Sequence, residues 1–185
     1  FTFSGFLASF VAGSFASCIS QYLMSVADNE FAEKVVAVIL PVNAAMVVTL
    51  QYAIGRRLNA SNLRPLMTFG TVCFILGLVG FMLSGANLWF WGLAAAVFTI
   101  GEIIYAPGEY MLIDNIAPPG MKASYFSAQA LGWLGAAMNP LMTGLILTSM
   151  PDWALFAILI LVTFFAWLAM IRGIRAKPLG QLQTN

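Results

Sequence analysis

Apolar residues run through this chain in six long stretches, at about residues 3–26, 34–54, 65–84, 88–113, 123–148 and 153–172. Most of these lengths are close to the roughly 20 residues that an α-helix needs to cross a bilayer. The breaks between them carry turn or charge signals: ADNEFAEK, GRRLNASNLRP, SGAN, APPGMK and MPD. The stretches do not alternate with period two, which argues against a closed β-barrel. The pattern predicts an all-α membrane protein of six transmembrane helices. Short connections make consecutive helices antiparallel neighbours and leave no room for a domain outside the membrane.

Composition agrees about the solvent. Of 185 residues, 61% are hydrophobic and 8% are charged, where soluble domains carry about 25% charged residues. The placement of charge adds an orientation. Arg56, Arg57, Arg64, Lys122, Arg172, Arg175 and Lys177 fall on one side of the six-span scheme, and Lys34 alone falls on the other. Cytoplasmic loops collect Lys and Arg. Both chain ends are therefore expected in the cytoplasm, with Asp28, Glu30, Glu33 and Asp152 facing outward. The chain opens without Met inside the apolar run FTFSGFLASF, which reads as a piece of a longer protein. Cys18 and Cys73 lie within spans, and buried free thiols are expected of them.

Polar side chains at depth rank the spans. The first carries Gln21 and Tyr22 near its outer end, the second Asn43 and Gln51, the fourth Glu102 and Glu109, and the fifth Gln129 and Asn139. The third and sixth carry no Asn, Gln, Asp or Glu in their interiors. Polar groups in hydrocarbon face protein or a wet cavity. Spans one, two, four and five are thus expected to line a cavity, and three and six to face lipid. A plainer reading holds for each amide, that it bonds one helix to another. In the first span Gly5, Ser9, Gly13 and Ser17 recur every fourth residue, a stripe that lets another helix backbone approach.

The run GEIIYAPGEY places two acids in a greasy helix. Residues seven apart differ by only about 20° in direction and about 10 Å in height, so Glu102 and Glu109 share a face with Tyr105 and Ala106 between them. Pro107 removes the hydrogen bond to the carbonyl of Ile103 and predicts a kink. Glu102 is expected near the bilayer midplane. A carboxyl group there that is neutral when dry and charged when wet suits proton coupling; a permanently neutral acid bonded to another helix is the structural alternative. Glu109 is expected nearer the cytoplasmic edge, within reach of water or of a base such as Lys122, as a second coupling candidate or a gating ion pair. On the fifth span Tyr125, Gln129 and Trp133 step by four, a stripe suited to an amphipathic solute and equally to packing. With Gln21, Asn43 and Tyr105 they are the substrate-cavity candidates.

The fifth span also reads GAAMNPLMTG. Pro140 cannot donate to the carbonyl of Ala136, so a bend is expected, and Gly135 and Gly144 leave room beside it. Here the chain resembles the major facilitator superfamily of transporters, whose antiporters carry a signature spaced G-x3-G-P-x2-G-G. The spacing stands as G-x3-N-P-x2-T-G, with Asn139 and Thr143 in place of two glycines. GRRLNASNLRP resembles the family's cytoplasmic loop signature of an Asp followed by basic residues. Gly55 stands where the Asp is expected, while Arg56, Arg57 and Arg64 remain; positive-inside anchoring explains them equally well. The stretch GEIIYAPGEYMLIDNIAPPGMKASYFSAQALGWLGAAMNP resembles the drug-efflux group of that superfamily. The resemblance implies that residues 1–185 are helices 7–12, one half of a twelve-helix fold. It also implies that the other half precedes them and that spans three and six match the lipid-facing helices nine and twelve. Pro107, Gly135, Asn139, Pro140 and Gly144 are the conformational-hinge candidates. The resemblance implies proton-coupled efflux of small amphipathic compounds, drugs or dipeptides, across a bacterial inner membrane.

Other function classes fit less well. The chain has no His, which excludes His-dependent catalysis and His-ligated metal within it. A lone Asp114 near a membrane face does not make a two-aspartate protease, and no Gly-rich phosphate loop appears. No enzymatic activity, metal, cofactor or nucleic-acid partner is expected. The rival reading is a non-catalytic assembly or channel subunit acting as a six-helix dimer.

Overall fold

A computed structural model of the chain describes residues 2–176. Those residues form helices joined by short loops, with no strand among them. The helices are α1 (Thr2–Val26), α2 (Asn29–Gly55), α3 (Leu63–Leu83), α4 (Leu88–Ile116), α5 (Lys122–Ala130), α6 (Trp133–Ser149) and α7 (Trp153–Ala176). The helices α2, α3, α4 and α7, and the α5–α6 pair taken as one span, are each long and apolar enough to cross a membrane. The limbs Thr2–Phe15 and Ser17–Val26 of α1 meet at 50° and together form a sixth. Lys177, counted above on the basic side, lies outside the described residues.

Helix ends follow local chemistry. The second helix starts at Asn29, earlier than the apolar pattern suggests, because Asp28 caps it by accepting from the Phe31 N–H at 2.7 Å. Glu30 in its first turn suits the helix dipole and pairs with Lys34 at 2.6 Å. Asn87 caps α4 by accepting from the Trp89 N–H at 3.0 Å. The loops before α4 and before α5 turn through Gly85 (φ 49°) and Gly120 (φ 80°), conformations open to glycine and strained for other residues.

The prolines do not interrupt their helices. Helices α2, α4 and α6 run without interruption through Pro41, Pro107 and Pro140. The break in the fifth span lies instead at Leu131 and Gly132. There the Leu131, Gly132, Leu134 and Gly135 N–H groups each donate three residues back, the tighter pitch of a 3₁₀ turn. The bend in α1 lies next to two serines that bond back into the helix, Ser14 to the Val11 carbonyl at 2.5 Å and Ser17 to the Gly13 carbonyl at 3.0 Å. Such back-bonding tilts carbonyls off the axis and bends helices.

Packing is reciprocal. The first helix packs along α6 and against α7; α4 packs along α2 and against α3. If α1–α3 and α4–α7 are taken as two three-span units, the first span of each packs on the second and third spans of the other. The small-residue stripe of α1 does meet another backbone. A Cβ on Gly13 would sit 2.9 Å from the Ala136 Cα, and one on Gly135 would meet the Phe6 and Phe10 backbone. An aromatic cluster fills the centre. Phe98 stacks on Phe15 at 5.4 Å between ring centroids and meets Phe74 edge-on at 4.8 Å. Trp91 stacks on Phe81 at 5.6 Å, and its Nε1–H donates to the Gly85 carbonyl at 2.9 Å. Cys18 and Cys73 are buried free thiols.

Candidate functional site

Helix α4 carries the acids. Glu102 is the central residue of this 29-residue helix. Across from it, α2 supplies Asn43, whose Nδ2 donates to the Glu102 Oε2 at 2.7 Å and lies 3.0 Å from the Thr99 Oγ. Thr99 is fully buried and donates onward to the Ala95 carbonyl at 2.8 Å. Two turns further on, Glu109 accepts from the Gln129 Nε2 of α5. The two acids thus share one helix face but bind partners from opposite neighbours. Gly5 of α1 leaves the notch that admits the second pair, since a Cβ there would collide with both Gln129 and Glu109.

Between α1, α4, α5 and α6 lies a cavity of about 340 Å³. Glu102, Tyr105, Glu109, Gln129 and Trp133, all candidates from the sequence, line it. The other rings on its wall, Phe74, Tyr110 and Phe126, were not singled out in the sequence. They are scattered over three helices, and no linear spacing joins them. Ser9 and Gly13 of the small-residue stripe also border it, and among the described residues no Lys or Arg does. Tyr105 is buried, and the Ser4 Oγ donates to the Ala166 carbonyl at 2.9 Å.

Three cavity candidates sit elsewhere. Asn43 is not on the wall; it reaches the site only through Glu102. Gln21 packs near Gly144, where a Cβ would lie 3.7 Å from its Oε1. Tyr125 lines a separate cavity of about 360 Å³ with Thr2, Ile113, Ile116, Ser124, Ala128 and Gln129. The expected wall of spans one, two, four and five therefore becomes one, four and five, with Phe74 added from the third. Lys122 does not pair with Glu109. It pairs with Asp114 at 2.5 Å, because both lie at the α4–α5 loop while Glu109 points into the bundle.

Of the hinge candidates, Pro107 lies within unbroken α4 and Pro140 is exposed on α6. Asn139 is fully buried and serves the plainer role of joining helices. Its Nδ2 donates to the Phe10 carbonyl at 3.0 Å, and its Oδ1 accepts from Ser17 at 3.0 Å and from Thr143 at 3.4 Å. It bonds on both sides of the bend in α1. Gly135 is a tight backbone contact, whereas Gly144 has ordinary room. Arg56, Arg57 and Arg64 are exposed around the α2–α3 loop. That loop is shaped by Asn59 and Asn62, the latter donating to the Arg57 carbonyl at 2.7 Å. No cluster of metal-binding side chains is found among the described residues.

Against curated proteins, the chain is 72% identical over 181 residues to the uncharacterized MFS-type transporter YdeE of Escherichia coli (strain K12). The chain is a relative of MFS-type transporters. Two further relatives come from Bacillus subtilis (strain 168), the MFS-type transporters YhjO and YqjV, each 27% identical, over 122 and 146 residues. The matches cover 98%, 65% and 75% of this chain but 46%, 30% and 34% of the relatives, so the chain spans less than half the length of each. No family model matches the chain, and no solved structure matches it.

Proposed function

We propose that this chain is the C-terminal six-helix half of a secondary active transporter that exports small amphipathic compounds, drugs or dipeptides, in exchange for protons. The observation that carries this reading is the cavity, with acids at and beyond the middle of α4 among aromatic rings and no Lys or Arg on its wall among the described residues. Aromatic and amide walls hold an amphipathic solute with few directional bonds. A carboxyl group that meets water from one side at a time takes a proton from one side and yields it to the other. Glu102 fills that role, with Asn43 fixing its rotamer from α2.

The reciprocal packing of two three-span units supports a transporter built from inverted repeats, in which sites lie near the midplane at repeat interfaces. The outward faces of α2 and α6, with Val48, Tyr52, Leu134, Leu141 and Leu145 exposed, are where an N-terminal half would dock. Alternating access then rocks the two halves about the cavity. In this reading the protein sits in a bacterial inner membrane, with the ends bearing Arg56, Arg57, Arg64 and Lys122 in the cytoplasm.

The test is Glu102→Gln in the full-length protein in proteoliposomes. The amide keeps size and hydrogen bonding but cannot titrate. Gradient-driven transport is expected to fall to the level of gradient-free exchange, with substrate binding and exchange retained. Coupling equal to the parent's would remove Glu102 from the proposed role.

A further inference from the structure

Glu33, Ala37 and Pro41 step by four along α2, so they share one face of the helix. That face is not spent on packing, and all three residues are exposed. The helix packs mainly along α4 and only lightly on α1. A cavity of about 620 Å³ opens between α2 and the last turns of α1. Met24 lines it from α1, and Glu33, Val36, Ala37, Leu40 and Pro41 line it from α2. It lies at the end of the bundle that holds the α1–α2 connection, and none of its lining residues borders the cavity around Glu102.

Two acceptors stand in this apolar groove. The first is the Glu33 carboxylate. Its acidic neighbours are engaged, Asp28 with the Phe31 N–H and Glu30 with Lys34, whereas Glu33 has no ion pair among the described residues. The second acceptor is a backbone oxygen. Pro41 has no N–H, so the Ala37 carbonyl loses the donor it would find four residues on. A freed carbonyl in apolar surroundings takes its donor from a side chain, a water or a ligand. Ala37 lies one turn, about 6 Å, deeper than Glu33. At this end of the bundle Asp28, Glu30, Glu33 and Asp152 outnumber Lys34, which is already paired. The rim of the groove thus favours a cation, its floor offers an acceptor to a neutral N–H, and its walls are apolar.

We propose that this groove binds small organic amines from the water at that face. The ammonium head sits on Glu33 and, across a short apolar body, a neutral N–H donates to the Ala37 carbonyl. The site stands apart from the cavity around Glu102 and does not rest on the transport reading.

The test compound is para-aminophenethylamine, which carries an ammonium, a ring and a neutral aniline N–H in that order. Met24→Cys in the full-length protein, in phosphatidylcholine vesicles, puts a thiol on the facing wall, where Met24 is 69% exposed. Its reaction with a membrane-impermeant maleimide is followed against the parent, whose Cys18 and Cys73 are buried. para-Aminophenethylamine is expected to slow labelling saturably, phenethylamine to do so more weakly, and para-ethylaniline not at all. Glu33→Gln should raise the half-protecting concentration of both amines about tenfold, the scale of a hydrogen bond to a charged group. Pro41→Ala returns the N–H that the Ala37 carbonyl lacks. It should raise the half-protecting concentration of para-aminophenethylamine about threefold and leave that of phenethylamine unchanged, a contrast that general attraction of cations to an acidic face does not produce. A thiol that fails to label means that the rest of the protein covers the groove, and overturns the proposal. Equal protection by para-ethylaniline, protection untouched by Glu33→Gln, or a Pro41→Ala effect that is absent or alike for both amines overturns it as well. Labelling already blocked when phosphatidylethanolamine replaces phosphatidylcholine, with no amine added, assigns the groove to a lipid head instead.

Discussion

Glu102 and Glu109 are readable as a pair because a spacing of seven returns a helix to nearly the same direction. What the spacing leaves open is whom they meet. Glu102 meets Asn43, 59 residues away in sequence, and Glu109 meets Gln129, 20 residues away. Lys122, the nearest base along the chain, goes to Asp114 instead. Asn139 makes the same point. Proline beside it suggested a hinge, yet its side chain is spent on Phe10, Ser17 and Thr143. Asn139→Leu should therefore act first on stability. Interhelical hydrogen bonds in membranes average about 0.6 kcal/mol and reach about 1.7. A loss in that range, read as a lower melting temperature of the purified full-length protein, is the expected outcome. An unchanged melting temperature with altered transport would restore the hinge reading.

At the scale of elements, five of the six apolar stretches became single helices with ends close to those the pattern suggests. The shift at α2 comes from a capped, charged first turn, which hydropathy does not register. The fifth span differs, because Leu131 and Gly132 carry no breaker stronger than one glycine. The turn there follows from how closely Gly132 and Gly135 press on the α1 backbone. The signature glycines accordingly part company. Gly135→Ala would force backbone against backbone, and overpacking of this kind costs about 1–3 kcal/mol. Gly144→Ala meets only a 3.7 Å contact with Gln21 and should be tolerated. Thermal unfolding of the two variants side by side checks the contrast; equal losses would mean that α1 and α6 do not pack as described.

For the whole molecule, the lopsided basic residues predict orientation. Reporter fusions in the loop at residues 58–62 should read as cytoplasmic, and fusions at the α1–α2 connection, residues 27–28, as external. Both on the same side would break the up-and-down order of the first three spans. The exposed apolar faces of α2 and α6 belong to this scale too. They belong to spans that hydropathy alone would have buried no differently from α3 or α7, and their exposure appears only once the helices are packed on one another.

Length, apolar periodicity and charge placement determined that this chain is an all-α membrane bundle, because crossing hydrocarbon demands long runs with internally satisfied backbones. The acids on one face, the small-residue stripe and the free thiols were legible for the same reason, since each depends on spacing along a single helix. The partners of the acids, the aromatic wall from α3, α4 and α5, the break at Leu131–Gly132 and the placement of Tyr125 off the main cavity were decided by tertiary structure. Each of these depends on which residues from distant helices arrive at the same depth, and depth is set by packing rather than by local sequence.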